Sequence, residues 1–504
     1  MGPRPLLSFA ISALAGCSII YNPDNLPPLT DADIDAPTDA PFDAPTDSNP
    51  ELLEITGVTP STIDEGVGSG GSRPVVFQLE GEAIVGSATV TVDLMGATET
   101  ATLIDFDATP DGTKGGAIVR IPVMTGLAAG MTRTLRITVQ QGNVTKMADV
   151  TVNGLDELVV NTTPRTTVVN PPTYSTITVS SNVHFTGAEP VILKATANID
   201  IQRALDANAA GSTAGPHGCN GGVMEAAGGC GIGTGGPGSN ASILGVNAGS
   251  GGGGGGFGQP GTIGGANGGA PGQPTGNEAL VPIITSPGTA GNRGNGGAGG
   301  GGGLLGAAGG PGGGGGGVVW IQAGGDITVG AMGTIEARGA TTSGGSGGGG
   351  GGSGGAILVR AGGSITSTTR WLSAPGGGAS TGSSNPGGPG GAGRIRIDTP
   401  AGDIASMSNN PNAWRGPSWA TDTPSLTSTG TLTFGFHGEP GREFSLRLND
   451  QPLTQTATPG SGGDVDVPGI VLRPGKNRLC GVALTGSLQG AESQSCIELF
   501  YAGN

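Results

Sequence analysis

Charge and aromatic rings are what this sequence has least of. Only 12% of its residues are charged and 3% aromatic, and the balance is acidic, with 38 Asp and Glu against 22 Lys and Arg. A formal net charge of −16 without a basic cluster argues against a nucleic-acid partner, because neutralising phosphates takes grouped positive charge. Beyond the N-terminus no apolar run reaches the roughly 18 residues of a membrane-spanning helix. His184, His217 and His437 are scattered, and no cysteine pair has the spacing of a zinc knuckle. Phosphate-loop and tandem calcium-nonapeptide motifs are absent, so no catalytic, metal or cofactor site is expected.

Glycine is what the chain has instead, 106 residues of 504, alongside 37 prolines. Each glycine in a regular element costs about 0.5–1 kcal/mol relative to alanine, so long runs weaken any fold unless their neighbours compensate. The runs precede compact apolar segments. Four of these align: "VILKATANIDI" from Val191, "VWIQAGGDITV" from Val319, "ILVRAGGSITS" from Ile357 and "IRIDTPAGDIA" from Ile395. Their anchoring isoleucines are Ile199, Ile327, Ile365 and Ile404, the last two intervals being 38 and 39 residues. A period near forty signals stacked units that bury an apolar ladder together because none can do so alone. The longer interval from Ile199 to Ile327 is read as a low-complexity insertion over residues 211–317. The glycine runs are connections between rungs, and two forms stay open for them: tight turns, or extended backbones packed as polyglycine-II helices.

The N-terminal "MGPRPLLSFAISALAGC" has one positive charge and a short apolar core, the pattern of a signal peptide. Its end, Leu14-Ala15-Gly16-Cys17, resembles a bacterial lipobox. That resemblance implies export, lipidation of Cys17 and a membrane partner through the lipid, with Ser18 suiting outer-membrane sorting. Four cysteines remain as two local pairs, Cys219 with Cys230 and Cys480 with Cys496, expected to form disulfides in an oxidising compartment. Residues 18–50 alternate Pro with Asp35, Asp39, Asp43 and Asp47, which predicts a disordered tether. Asp31, Asp33 and Asp35 imitate a calcium loop, but Ala36 and Phe42 stand where that loop needs Gly and Glu.

Residues 51–155 contain "VVFQLEG", "ATVTVDL", "GAIVRIPV", "RTLRITVQ" and "MADVTVNG", whose period-two alternation predicts an antiparallel sandwich. With "ITGVTPS" and the Gly-rich turn that follows, the segment resembles the immunoglobulin-like TIG module. Residues 411–504 return to the same pattern in "GTLTFGFHG", "EFSLRLND", "NRLCGVAL" and "SCIELFYAG", and "RPGKN" resembles a turn of bacterial immunoglobulin-like modules. Trp414 and Trp419 fit packing at a domain junction better than a sugar-stacking surface.

The region 156–410, with "GGGGGGSGGAILVRAGG" and "GGAGRIRI", resembles the glycine-rich, β-helix-like surface proteins of myxobacteria. The expected fold class is all-β: an immunoglobulin-like sandwich, a parallel β-helix or solenoid, and a second sandwich after signal peptide 1–17. The expected role is structural or adhesive contact with a polysaccharide or other cell-surface ligand. A polysaccharide lyase or hydrolase is the enzyme alternative, with Asp326, Glu336, Arg338, Arg360, Asp398 and Asp403 as candidates, and a passive envelope component is the third reading. Asp326 and Asp403 share turn positions with Ser364 and Asn198, which favours a side chain capping its own turn. Gly231, Gly233 and Gly236 imitate a dinucleotide fingerprint, and Ser346 and Ser353 a nucleophile elbow, in a chain where such matches are inevitable.

Overall fold

A computed structural model describes residues 52–71, 73–231, 233–239, 249–265, 268–284, 291–297, 308–342, 344–367, 371–380, 385–400, 409–483 and 492–503. Cys17, the tether, Asp403 and Ile404 lie outside the described residues. The described chain is all-β, in seven sheets. Among these residues no helix is long and apolar enough to cross a membrane.

Two four-stranded sheets form first. One runs Glu54–Thr59, Val75–Glu82, Lys114–Arg120, Thr102–Ala108; the other runs Thr62–Asp64, Val144–Asn153, Thr132–Gln141, Thr89–Met95. Alternate residues of both, among them Phe77, Leu79, Leu135, Ile137 and Val150, meet in one core. The short strand Thr62–Asp64 pairs parallel with Val144–Asn153, a departure from the purely antiparallel expectation.

From Leu158 to Arg415 the chain visits three parallel sheets in rotation, adding one strand to each per circuit. The six-stranded sheet that matters most is ordered Thr173–Tyr174, Val191–Ala195, Val318–Ala323, Ala356–Ala361, Arg394–Asp398, Ala413–Arg415. Its register places Val191, Val319, Ile357 and Ile395 side by side, as the sequence alignment has them. The isoleucine ladder also exists, Ile177 beside Ile199, Ile327 and Ile365. Burying each such side chain stabilises by about 1.5–3 kcal/mol, enough to offset several glycines.

The first circuits contain no glycine run, with Leu158, Ile177 and Ile199 only about twenty residues apart. The forty-residue period is therefore a twenty-residue circuit plus a glycine excursion. All three excursions, over 207–317, 337–355 and 374–393, leave at the same corner, between the strands of the same two sheets. Stacked there, their described residues pack on one another.

Their packing has a threefold pattern. Gly252 and Gly255 donate to Gly348 and Gly351, Gly253 and Gly256 to Gly236 and Gly233, and Gly254 to Thr262. Successive residues thus turn to different neighbours and every third residue returns to the same one, as in packed polyglycine-II segments of three residues per turn. Gly351 donates to Gly388 and Gly388 back to Gly252, closing the bundle. None of residues 251–256 has a positive φ, so conformational freedom does not explain these glycines. Absence of a side chain does: a Cβ on Gly254 would collide with the Pro389 carbonyl, and one on Gly350 with that of Gly253. Of the two forms open from sequence, extended packing is the one adopted.

The insertion has an apolar patch of its own. Phe257, Leu280 and Ile283 cover Val318, Trp320, Ala356 and Leu358 on the outer face of the six-stranded sheet. Burial on both faces is why "VVWI" and "AILV" are continuous apolar runs rather than alternating ones.

The last part has a three-stranded sheet, Ser418–Trp419, Thr431–His437, Asp464–Val471, and a five-stranded one, Leu426–Thr427, Gln494–Tyr501, Gly475–Val482, Phe444–Leu448, Gln451–Ala457. It docks back on the first part: Phe500 is fully buried against Val76 and Ile118. Lys476 donates its backbone amide to Gln78 Oε1 at 2.7 Å and its Nζ to the Val76 carbonyl at 3.0 Å.

Candidate functional site

Among the described charged candidates, Asp326 and the pair Glu336 and Arg338 make separate contacts. Asp326 lies in the turn between Val318–Ala323 and Ile327–Val329, where Oδ1 accepts the Ser364 amide at 2.6 Å and hydroxyl at 2.8 Å, and Oδ2 accepts the Gly71 amide at 3.1 Å. Its side chain caps the next rung, not its own turn as expected, because parallel stacking brings that amide closer in line. Glu336 pairs with Arg338 at 2.9 Å and accepts from Asn208 Nδ2 at 3.0 Å.

Arg360 and Asp398 do meet, with a partner that the sequence reading passed over, Arg396. Asp398 Oδ2 accepts from Arg360 Nη2 at 2.7 Å and Arg396 Nη2 at 2.6 Å, and Oδ1 accepts from Arg396 Nε at 2.7 Å. Arg396 is 0% exposed and also donates to the carbonyls of Ala279 at 2.7 Å and Glu492 at 2.8 Å. Burial lowers its pKa while Asp398 opposes that shift. Alternating Arg and Ile in "RIRI" does not reveal the burial of Arg396, which comes from the Ala279 and Glu492 carbonyls of distant segments closing over it. A carboxylate whose oxygens are both held by guanidinium groups is a structural anchor.

This anchor borders a cavity of about 280 Å³ where the first part, the parallel sheets and the last part meet. Arg73 reaches across it, donating to the carbonyls of Thr423 at 3.0 Å and Ala420, and burial pushes its pKa down to about 10. Trp419 is 2% exposed, donates Nε1 to the Ser495 carbonyl at 2.9 Å and meets the Phe436 ring edge-on at 5.0 Å. It is a core residue.

Trp414 behaves differently. It is half-buried at the edge of the six-stranded sheet, 5.9 Å from the Phe444 ring, and borders a second cleft of about 340 Å³. Gln259 and Glu278 of the insertion, Arg394, and Glu439 and Arg442 of the last part share that cleft.

One sheet keeps an uncovered outer face. In register along it stand Val159, Thr178, Asp200, Thr328 and Thr366, each half or fully exposed. Neighbouring strands put these side chains about 4.8 Å apart, a flat polar row with one hydrophobic end.

The cysteines form two disulfides, Cys219–Cys230 within the insertion and Cys480–Cys496 across paired strands. His217 Nδ1 lies 3.3 Å from the Ala188 carbonyl, and no cluster able to hold a metal occurs among the described residues. The Ser353 hydroxyl accepts the Asn295 amide at 2.7 Å and donates to the Gly354 carbonyl at 3.1 Å, so it serves the glycine bundle. No protein-family model and no curated protein matches the chain.

Proposed function

We propose that the protein is an exported surface protein, lipid-anchored through Cys17 at the bacterial outer membrane, that makes structural or adhesive contact with a polysaccharide or matrix. In this reading, two immunoglobulin-like sandwiches, the first a TIG module, flank a three-sided parallel β-helix. The observation that carries the reading is the uncovered row Thr178, Asp200, Thr328 and Thr366, a regular array of hydroxyl and carboxylate groups on a flat face. A repeating surface suits a repeating polymer, since weak contacts at fixed spacing add up through multivalency. Two disulfides suit an oxidising compartment, and the resemblance to glycine-rich surface proteins points the same way.

The test is co-sedimentation of the full chain carrying Cys17→Ser with insoluble neutral polysaccharides and with whole cell envelopes, with released sugar assayed in the same tubes. Pelleting without sugar release, lost on Thr328→Lys with Thr366→Lys, is the expected result. Release of reducing ends would make the protein a polysaccharide-active enzyme. A chain that stays in solution throughout would leave a passive envelope component as the better account.

A further inference from the structure

The cleft beside Trp414 contains an unpaired guanidinium. Arg394 opens the strand Arg394–Asp398, and its Cζ lies 5.4 Å from the centre of the Phe257 ring. Its Nε is buried without a hydrogen-bond partner, and the side chain makes no ion pair among the described residues. The carboxylate that acts on it, Glu278, is engaged by Arg442 at 2.7 Å. Arg396, two residues on, donates four hydrogen bonds to Asp398 and to the Ala279 and Glu492 carbonyls. A partly buried guanidinium with its planar fork unused is suited to a planar anion, which it can hold through two parallel hydrogen bonds.

The surroundings narrow the anion. The cleft, at about 340 Å³, is within the range of small-ligand sites. Trp414 offers a half-buried ring of the kind that covers an apolar sugar face, and the amides of Gln259 and Asn412 line the same space. Glu439 also lines it, one oxygen accepting the Arg415 amide at 2.7 Å. Glu278 and Glu439 repel a compact dianion such as phosphate, yet both accept hydrogen bonds from hydroxyls. A single carboxylate on a polyhydroxylated ring satisfies every group present.

We propose that this cleft binds a uronic-acid unit of an acidic polysaccharide, its carboxylate on Arg394 and its ring against Trp414. The proposal rests on the glycan arm of the surface-contact reading and supplies that reading with a ligand class and a second, discrete site. Arg394 sets the preference for acid over neutral sugar, and Trp414 contributes to both.

The test is isothermal titration of the full chain carrying Cys17→Ser with trigalacturonic acid, with its methyl ester and with neutral galactotriose. The acid is expected to bind about tenfold or more tightly than either neutral ligand, and less so as salt is raised. Arg394→Gln should bring the acid down to the neutral level, Arg394→Lys should fall between, and Trp414→Ala should weaken all three. Equal affinity for acid and ester, no binding of either, or a preference that survives Arg394→Gln would overturn the proposal. The ester comparison needs no variant, so a misfolded Arg394→Gln chain does not remove the test. Pelleting with envelopes but no response to trigalacturonic acid would sink this site and leave surface contact standing. Binding of trigalacturonic acid by a chain that pellets with nothing would do the reverse.

Discussion

The carboxamide oxygen of Asn198 accepts the backbone amide of Asp326 at 2.8 Å, and the carboxylate of Asp326 accepts the amide of Ser364 at 2.6 Å one rung further on. A polar ladder thus runs beside the apolar one, each turn residue closing the turn stacked upon it. Asn198 and Asp326 suit this role because a short side chain with an sp² oxygen reaches a neighbouring backbone at this distance. Asp326 does more than its counterparts, since its second oxygen holds the Gly71 amide and ties the first part of the chain to the rungs.

Asp326→Ala should therefore destabilise the chain by about 1–3 kcal/mol, the cost of leaving backbone donors unmet. Asp326→Asn keeps one acceptor and should lose less. Urea denaturation of the two variants measures the order; equal losses would mean that the acceptor kept by Asp326→Asn carries no weight, and a neutral Asp326→Asn would mean that the Gly71 contact carries none.

The glycine bundle makes a sharper distinction. A Cβ on Gly350 has no space because the Gly253 carbonyl occupies it, whereas on exposed Gly378 it meets the Thr341 hydroxyl oxygen at 3.4 Å and nothing closer. Gly350→Ala should cost about 1–3 kcal/mol through overpacking of neighbouring backbones. Gly378→Ala should stay within about 0.5 kcal/mol of the parent. If both are neutral by thermal denaturation, the runs are not packed as described.

Asp398 neutralises two guanidinium groups, and the cost of its loss should exceed that of either partner. Asp398→Ala leaves Arg396 and Arg360 facing each other without a counter-charge and should cost about 3–5 kcal/mol. Arg396→Met should cost less, because Arg360 still holds Asp398 through Nε at 2.9 Å and Nη2 at 2.7 Å. Guanidinium denaturation of the two single variants and the double variant gives the ranking, and a larger loss for Arg396→Met would reverse the assignment of Asp398 as the anchor.

Two carboxylates of the first part should titrate in opposite directions. Burial raises the pKa of Glu65 above its ordinary 4.5, although its oxygens accept the amides of Leu155 and Met124. The folded chain then holds that proton more tightly than the unfolded one, so this group's contribution to stability declines as pH rises from 4.5 into the window above. Glu99 is the converse: the Thr125 amide, which it accepts at 3.0 Å, leads the causes that lower its pKa to about 2. Its contribution is present above 4.5 and lost as pH falls through about 2. Side-chain carboxyl NMR titration reads both, and a Glu65 midpoint below that of Glu99 would contradict the geometry.

What the sequence made legible was the pattern that repeats. Val191, Val319, Ile357 and Ile395 align by eye because an in-register ladder demands the same kind of residue in every rung. The first two circuits escaped notice because they have no glycine excursion to mark them. Strands Thr102–Ala108 and Gln451–Ala457 were also missed: "TLIDFDA" and "QPLTQTA" belong to edge strands whose exposed faces suit polar residues and blur the alternation. The Arg396 and Asp398 anchor and the Arg394 cleft depend on segments more than a hundred residues apart in sequence, and no local pattern announces such contacts.

Phe500 was legible only as half of an alternating strand, "CIELFY", yet both Leu499 and Phe500 are fully buried. Leu499 fills the core of the last part, and Phe500 points the other way into the sheet that carries Val76 and Ile118. Gly116 completes the socket, since a Cβ there would run into the Phe500 ring. The first and last described parts meet at this ring, at the Lys476 hydrogen bonds and at the bonds from Arg73 to the Thr423 and Ala420 carbonyls, which makes their unfolding interdependent. Phe500→Ala should cost about 3–5 kcal/mol and split a shared calorimetric transition into two. Gly116→Ala approaches the same socket from the opposite side and should produce the same splitting, while leaving the last part's own core intact. A single transition in both variants, merely shifted in temperature, would mean that the ends are coupled through the parallel sheets and not through Phe500.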